Sequence, residues 1–175
     1  MGPSSFVDRL AAARIGETFN QYAASELRRA RLTSYLRARR RARWLLVGEA
    51  AGYRGARVSG VPFTSERQLS GSGPAEASAT IVHRTLSELG LEDDVLLWNV
   101  VPTHPHRRGV PGSNRPPARS EVQAGMAFLE QVAADRRLIA VGRVAHSVLG
   151  GEYVRHPSHG GCGEFRTGLL LSIRR

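Results

Sequence analysis

The chain has 175 residues, enough for one domain with a substantial core, and its 25 basic residues against 15 acidic ones give a formal charge of +10. Every basic side chain is arginine, whose planar fork matches phosphate. The lone Cys162 excludes a disulfide framework and a four-cysteine cluster, and the first residues lack the apolar run of a signal peptide or membrane span, so a reducing, cytoplasmic setting is expected.

Residues 1–43 carry ten arginines against Asp8, Glu17 and Glu26. That excess favours a polyanionic partner, or else a solvated arginine face. The spacing predicts a short helix over 5–13 and a longer one over 17–41, with Phe19, Tyr22, Ala23, Leu27, Ala30 and Leu36 on one side. Arg28, Arg29, Arg31, Arg37 and Arg39 fall on the other. Residues 44–50 then read as a strand buried on both faces, since Trp44 to Val47 are four apolar residues in a row. They run into Gly48, Glu49, Gly52 and Gly55, where the chain must turn. Ligands of open α/β sheets sit beyond such strand ends.

After the turning stretch at 70–74, Pro74 suits the first turn of a helix with Ala75, Ala79, Val82, Leu86 and Leu89 as its buried stripe, ending at Gly90. His83 lies at the edge of that stripe and is expected to face out. A second buried strand covers 95–101 and contains a polar Asn99. Residues 102–118, with five prolines, cannot be regular structure, and loops of this length are commonly functional. Ser120 and Gln123 form a capping box for a helix through residue 133. A third strand over 138–142, a short helix over 144–149, an extended piece at 153–155 and a last strand over 168–173 complete the chain. Alternating strands and helices predict a single domain, 1–175: a three-layer α/β/α sandwich around a central, mainly parallel four-stranded sheet, with the basic segment 1–43 packed on it.

Gly48-Glu-Ala-Ala-Gly52 lacks the Gly-x-Gly-x-x-Gly spacing of a dinucleotide loop, and Glu49 alone reads as an exposed or capping carboxylate. His156, His159 and Cys162 are evenly spaced metal-ligand types, but no fourth ligand is obvious and no metal is expected. Taken together, the motifs are more specific. Gly48-Glu49-Ala50-Ala51-Gly52 with Gly60-Val61-Pro62-Phe63, then Asn99-Val-Val with Asn114-Arg-Pro-Pro, then His156-Pro157-Ser158 resemble, in order, the motifs of the uracil-DNA glycosylase superfamily. The nearest pattern is that of its iron-sulphur branch, although the cluster cysteines are missing. Ala51 replaces that branch's proline, its acidic residue falls on Gly55, and Ala50 stands where other branches position water.

The resemblance implies a uracil-DNA glycosylase-like fold and a monofunctional glycosylase of base-excision repair, acting as a monomer on uracil-containing DNA, single- or double-stranded, without cofactor or membrane and near the nucleoid. His156 and Glu49 would be catalytic. Phe63, Asn99, Ala50 and Gly52 would hold the base, with Tyr53 set against thymine. Ser158, His159, Arg107, Arg108, Arg115 and Arg166 would contact DNA, with Phe165 or His159 as a wedge. Alternatives are a glycosylase for another deaminated base, and a non-catalytic module or one trapping DNA covalently through His104 or His106.

Overall fold

The computed structural model describes residues 2–158 and 160–174. In chain order the elements are α1 Pro3–Ala12, β1 Thr18–Phe19, α2 Glu26–Ala38, β2 Trp44–Ala50, α3 Ala56–Ser59, α4 Glu66–Ser70, α5 Ala77–Glu88, β3 Val95–Val101, β4 His104–Pro105, α6 Arg119–Ala133, β5 Arg137–Val141, α7 Arg143–Leu149, β6 Glu152–Val154 and α8 Cys162–Ile173. The central sheet runs β3-β2-β5-β6, and every neighbouring pair is parallel. Because side chains alternate along β2, Leu45 and Val47 pack with Trp98, Leu10, Leu32 and Leu129 on one face. Leu46 packs with Leu97, Val82, Ile139, Phe165 and Leu169 on the other. Three layers result, as the alternation of elements predicts. No helix among the described residues is long and apolar enough to cross a membrane.

The expected helix over 17–41 is divided. Gly16 turns the chain at φ +54, and Asn20 then folds its side chain back. Its Oδ1 accepts from the Tyr22 and Ala23 N–H groups at 3.0 and 3.2 Å, and its Nδ2 donates to the Leu10 and Ala13 carbonyls at 2.8 and 3.0 Å. Such local bonds compete with the helix, so α2 begins only after Ser25, whose Oγ accepts from the Arg28 N–H. The arginine face is largely spent inside the molecule. Arg31 pairs bidentately with Glu66 at 2.8 and 2.9 Å, Arg28 donates to the Val58 carbonyl, Arg29 donates to that of Tyr22, and Arg39 pairs with Asp93.

Toward the other end, residues 168–173 are the end of helix α8, not a strand; Phe165, Leu169 and Ser172 recur at helical spacing and are buried. The fourth strand is β6, at the short piece read as extended. Helix α5 starts at Ala77, after Glu76 rather than at Pro74. His83 does not face fully out but is half-buried and meets Thr64 Oγ1 at 3.0 Å, because the loop after Pro62 returns over it. The proline-rich stretch holds the short β4, paired antiparallel with β1, and a tight turn from Arg107 to Val110.

Helix α6 begins at Arg119, and its first turn is closed by Glu121 rather than by Ser120 and Gln123. The Glu121 side chain is 2 % exposed and accepts from Arg115 at 2.6 and 2.8 Å, from the Ala118 N–H at 2.8 Å and from the Glu17 N–H at 3.1 Å. The hydrogen-bonded Arg115 guanidinium holds this carboxyl below the ordinary carboxylate range. Glu121→Ala should cost about 3 kcal/mol in chemical denaturation, the lower end for a broken buried pair because Arg115 keeps some contact with water. A depressed pKa stabilises the fold above the ordinary carboxylate range, and that contribution disappears as pH falls through the folded value. Stability measured down the acid range should therefore drop less steeply in Glu121→Gln than in the parent chain.

Candidate active site

A groove of about 810 Å3 opens across the carboxyl ends of the four parallel strands, with Asn99 from β3, Glu49 and Ala50 from β2, Val141 from β5 and Tyr153 from β6 in its wall. Its deepest polar group is Asn99, 4 % exposed on a strand that is otherwise apolar. Among the described residues none hydrogen-bonds its side-chain amide. A buried amide left open to a groove is costly unless a ligand completes it.

Asn99 stands opposite Gly48 in the β2–β3 register. A side chain at 48 could not be accommodated, because its Cβ would overlap the Phe63 ring and approach Asn99 Oδ1 to 2.9 Å. Phe63 itself has φ +50, a left-handed backbone that a bulky residue adopts only when its surroundings impose it. Here they do. Ser59 Oγ accepts from the Val61 N–H at 3.0 Å and donates to the Thr64 carbonyl at 2.6 Å. Thr64 Oγ1 donates to the Pro62 carbonyl, which leaves it to accept from His83 Nε2. Burial lowers the His83 pKa and keeps that ring neutral.

His156 follows β6, beside Gly142, whose φ of +89 lets the β5–α7 turn pass close to the imidazole. The Ser158 N–H donates to His156 Nδ1 at 3.2 Å, with Ser158 Oγ at 2.8 Å from the same atom. A backbone N–H can only donate, so Nδ1 is an acceptor and the ring proton lies on Nε2. The site therefore holds a neutral imidazole that is a hydrogen-bond donor at Nε2. Glu49 is half-buried in the groove wall, and burial raises its pKa. Glu76, immediately before α5, also lines the groove. Its carboxyl occupies the notch left by Gly52 and Gly55, where a Cβ on either glycine would overlap it, and burial raises its pKa as well.

Of the residues singled out in the sequence, the fold brings His156, Glu49, Phe63, Asn99, Ala50, Gly52, Arg115 and Ser158 to this groove. Arg115 is there as the partner of Glu121. Tyr53 is not among the residues that line the groove; its N–H donates to Asn114 Oδ1 at 3.1 Å, and Arg54 lies over its ring. Arg107 and Arg108 are exposed on the 107–110 turn. Arg166 pairs with Glu88 on the α5–α8 side, and Phe165 is a core residue with no surface to wedge into a duplex. His159 lies outside the described residues. His104 is buried, with Nδ1 donating to the Ala51 carbonyl at 2.8 Å, and His106 stacks on it away from the groove wall. Glu76, Arg143, Tyr153 and Arg155 also line the groove without having stood out in the sequence. Nothing in the spacing marks any of them, and Glu76 falls inside the helix that Pro74 suggests.

The sequence profile of the Uracil DNA glycosylase superfamily matches residues 37–171. No curated protein matches the chain in sequence. Among solved structures, SMUG2 of Pedobacter heparinus superposes with a TM-score of 0.72 at 12 % identity, covering 99 % of this chain and 97 % of that one. UNG from Nitratifractor salsuginis gives a TM-score of 0.47 at 16 % identity, over 96 % and 90 % of the two chains. The first likeness extends the shared fold over the whole length, the basic N-terminal segment included.

Proposed function

The chain belongs to the uracil DNA glycosylase superfamily, and from that premise we propose that this DNA glycosylase is monofunctional and removes uracil by hydrolysing its N-glycosidic bond. The observation that carries the reading is the open amide of Asn99, set beside the Phe63 ring over a side-chain-free Gly48. A uracil turned out of the helix, at a cost of a few kcal/mol, stacks on Phe63. Asn99 then accepts from N3–H and donates to O4. Cytosine presents the reverse pattern and would leave a buried amide mismatched, which discriminates far more than a change in size.

As the bond breaks, the sugar gains cationic character and negative charge collects on the base. His156 donates from Nε2 to O2, a fixed dipole aimed at that developing charge. A neutral donor suits this step because its hydrogen bond strengthens with the charge and needs no proton transferred. Glu49 holds the attacking water or faces the cationic sugar. Glu76 bounds the base pocket at Gly55, the position at which the iron-sulphur branch carries its acidic residue. The role against thymine passes from Tyr53 to Glu76, because Tyr53 is not among the residues that line the groove.

The reading is tested by incubating the protein with single-stranded and duplex oligonucleotides carrying one uracil, with chelator present, followed by alkaline strand cleavage. A break at the uracil is expected; folded protein that binds the oligonucleotide and releases no base would refute the assignment. Two variants separate the roles. His156→Ala should slow excision by about a hundredfold, the loss expected for one such donor, with the fold intact by circular dichroism. Asn99→Asp should erode the preference for uracil over cytosine, and an unchanged ratio of the two rates would remove Asn99 as the reader.

A further inference from the structure

The groove extends past the base pocket. Asn99 and Gly48 belong to β3 and β2, whereas Tyr153 belongs to the edge strand β6, two strands beyond β2 and about 10 Å away at ordinary inter-strand spacing. Tyr153 is 40 % exposed, a large aromatic surface left in water at the rim of a site. His146 of α7 supports its ring, with centroids 5.2 Å apart and planes inclined at 54°, so the ring is fixed in place but not covered. Val144, 39 % exposed, adds apolar surface to the same wall. Two guanidinium groups flank it: Arg143, exposed at the start of α7, and Arg155, steered by its 2.8 Å pair with Glu164.

A supported, half-open aromatic ring between arginines at the end of a groove has the composition of a stacking platform for an unpaired nucleobase: the ring takes the base face and the arginines take the backbone. We propose that Tyr153 forms a second base-stacking subsite, which takes the nucleobase adjacent to the one excised. In a duplex the neighbouring base is stacked and paired and cannot reach the ring. In a single strand it is available, and the ring gains a contact without unpairing anything. The assignment rests on the DNA-glycosylase reading above, but not on uracil being the base removed.

The test measures binding of short single-stranded oligonucleotides by fluorescence anisotropy, with the central nucleotide replaced by an abasic spacer that cannot be cleaved. The nucleobases on its two sides are then removed one at a time. Wild type should bind about tenfold more weakly when one of the two neighbours is abasic, as for the loss of one base–aromatic stack. Tyr153→Ala should show the same loss on the complete oligonucleotide and no further loss when that neighbour is removed, whereas Tyr153→Phe should behave as wild type. Indifference of wild type to both neighbours would overturn the subsite, as would losses from Tyr153→Ala and from base removal that multiply. Uracil excision measured on the same preparation keeps the two proposals apart. A neighbour effect without excision retains the subsite and refutes the uracil assignment, and excision without a neighbour effect overturns the subsite alone.

Discussion

The geometry of the groove depends on a carboxylate outside it. Glu121 receives Arg115, the first N–H of its own helix region and the N–H of Glu17, joining the proline-rich loop, α6 and the N-terminal segment at one buried point. Gly16 is needed for that approach, because a side chain there would meet the Glu121 stem. With Arg115 fixed, Asn114 stands where its Oδ1 accepts from the Tyr53 N–H, and earlier in the same loop His104 donates to the Ala51 carbonyl. The first glycine-rich loop is thus tied at two successive points to the long loop that faces it. Three glycines in eight residues would otherwise leave Gly48 to Gly55 free to collapse onto Phe63.

Charge is arranged in an equally definite way. The inner groove holds an amide, a neutral imidazole and two carboxyl groups that burial pushes toward their uncharged forms. Fixed positive charge is kept to the wall and rim, on Arg143 and Arg155. Under the proposed reading a neutral base would enter without displacing a tightly hydrated ion, while the phosphates that carry it would meet cations. The left-handed backbone at Phe63 belongs to the same design: glycine would relieve the strain and remove the ring.

Much of this could be read from the sequence, for reasons that differ by element. The buried strands at 44–50 and 95–101 announce themselves as apolar runs, and their ends place Glu49 and Asn99 without further information. His156-Pro-Ser is similarly local. Glu76 was not legible because Pro74 suggests a helix starting three residues early, which would have turned that side chain into the first turn. The last segment misled because Gly168 to Ile173 is apolar enough for either period, and the helix is decided by Phe165 and Leu169 seating on the sheet. Charge alone gives the arginines of α2 as a surface for polyanions or a solvated face. Their partners, Glu66, Val58, Tyr22 and Asp93, are distant in sequence or are backbone carbonyls, and spacing does not reveal them.

The strand order β3-β2-β5-β6 governs when the site can exist during synthesis. Helix α5 can lay β3 beside β2 early, and Gly48 then already faces Asn99. The other side of β2 waits for β5, which follows the proline-rich loop and all of α6, and His156 arrives only after β6. Until then a strand that opens with four apolar residues, Trp44 to Val47, presents an open edge, a template for unwanted pairing. A growing chain thus brings Gly48 and Asn99 together well before His156 is made, with one edge of β2 exposed in the interval.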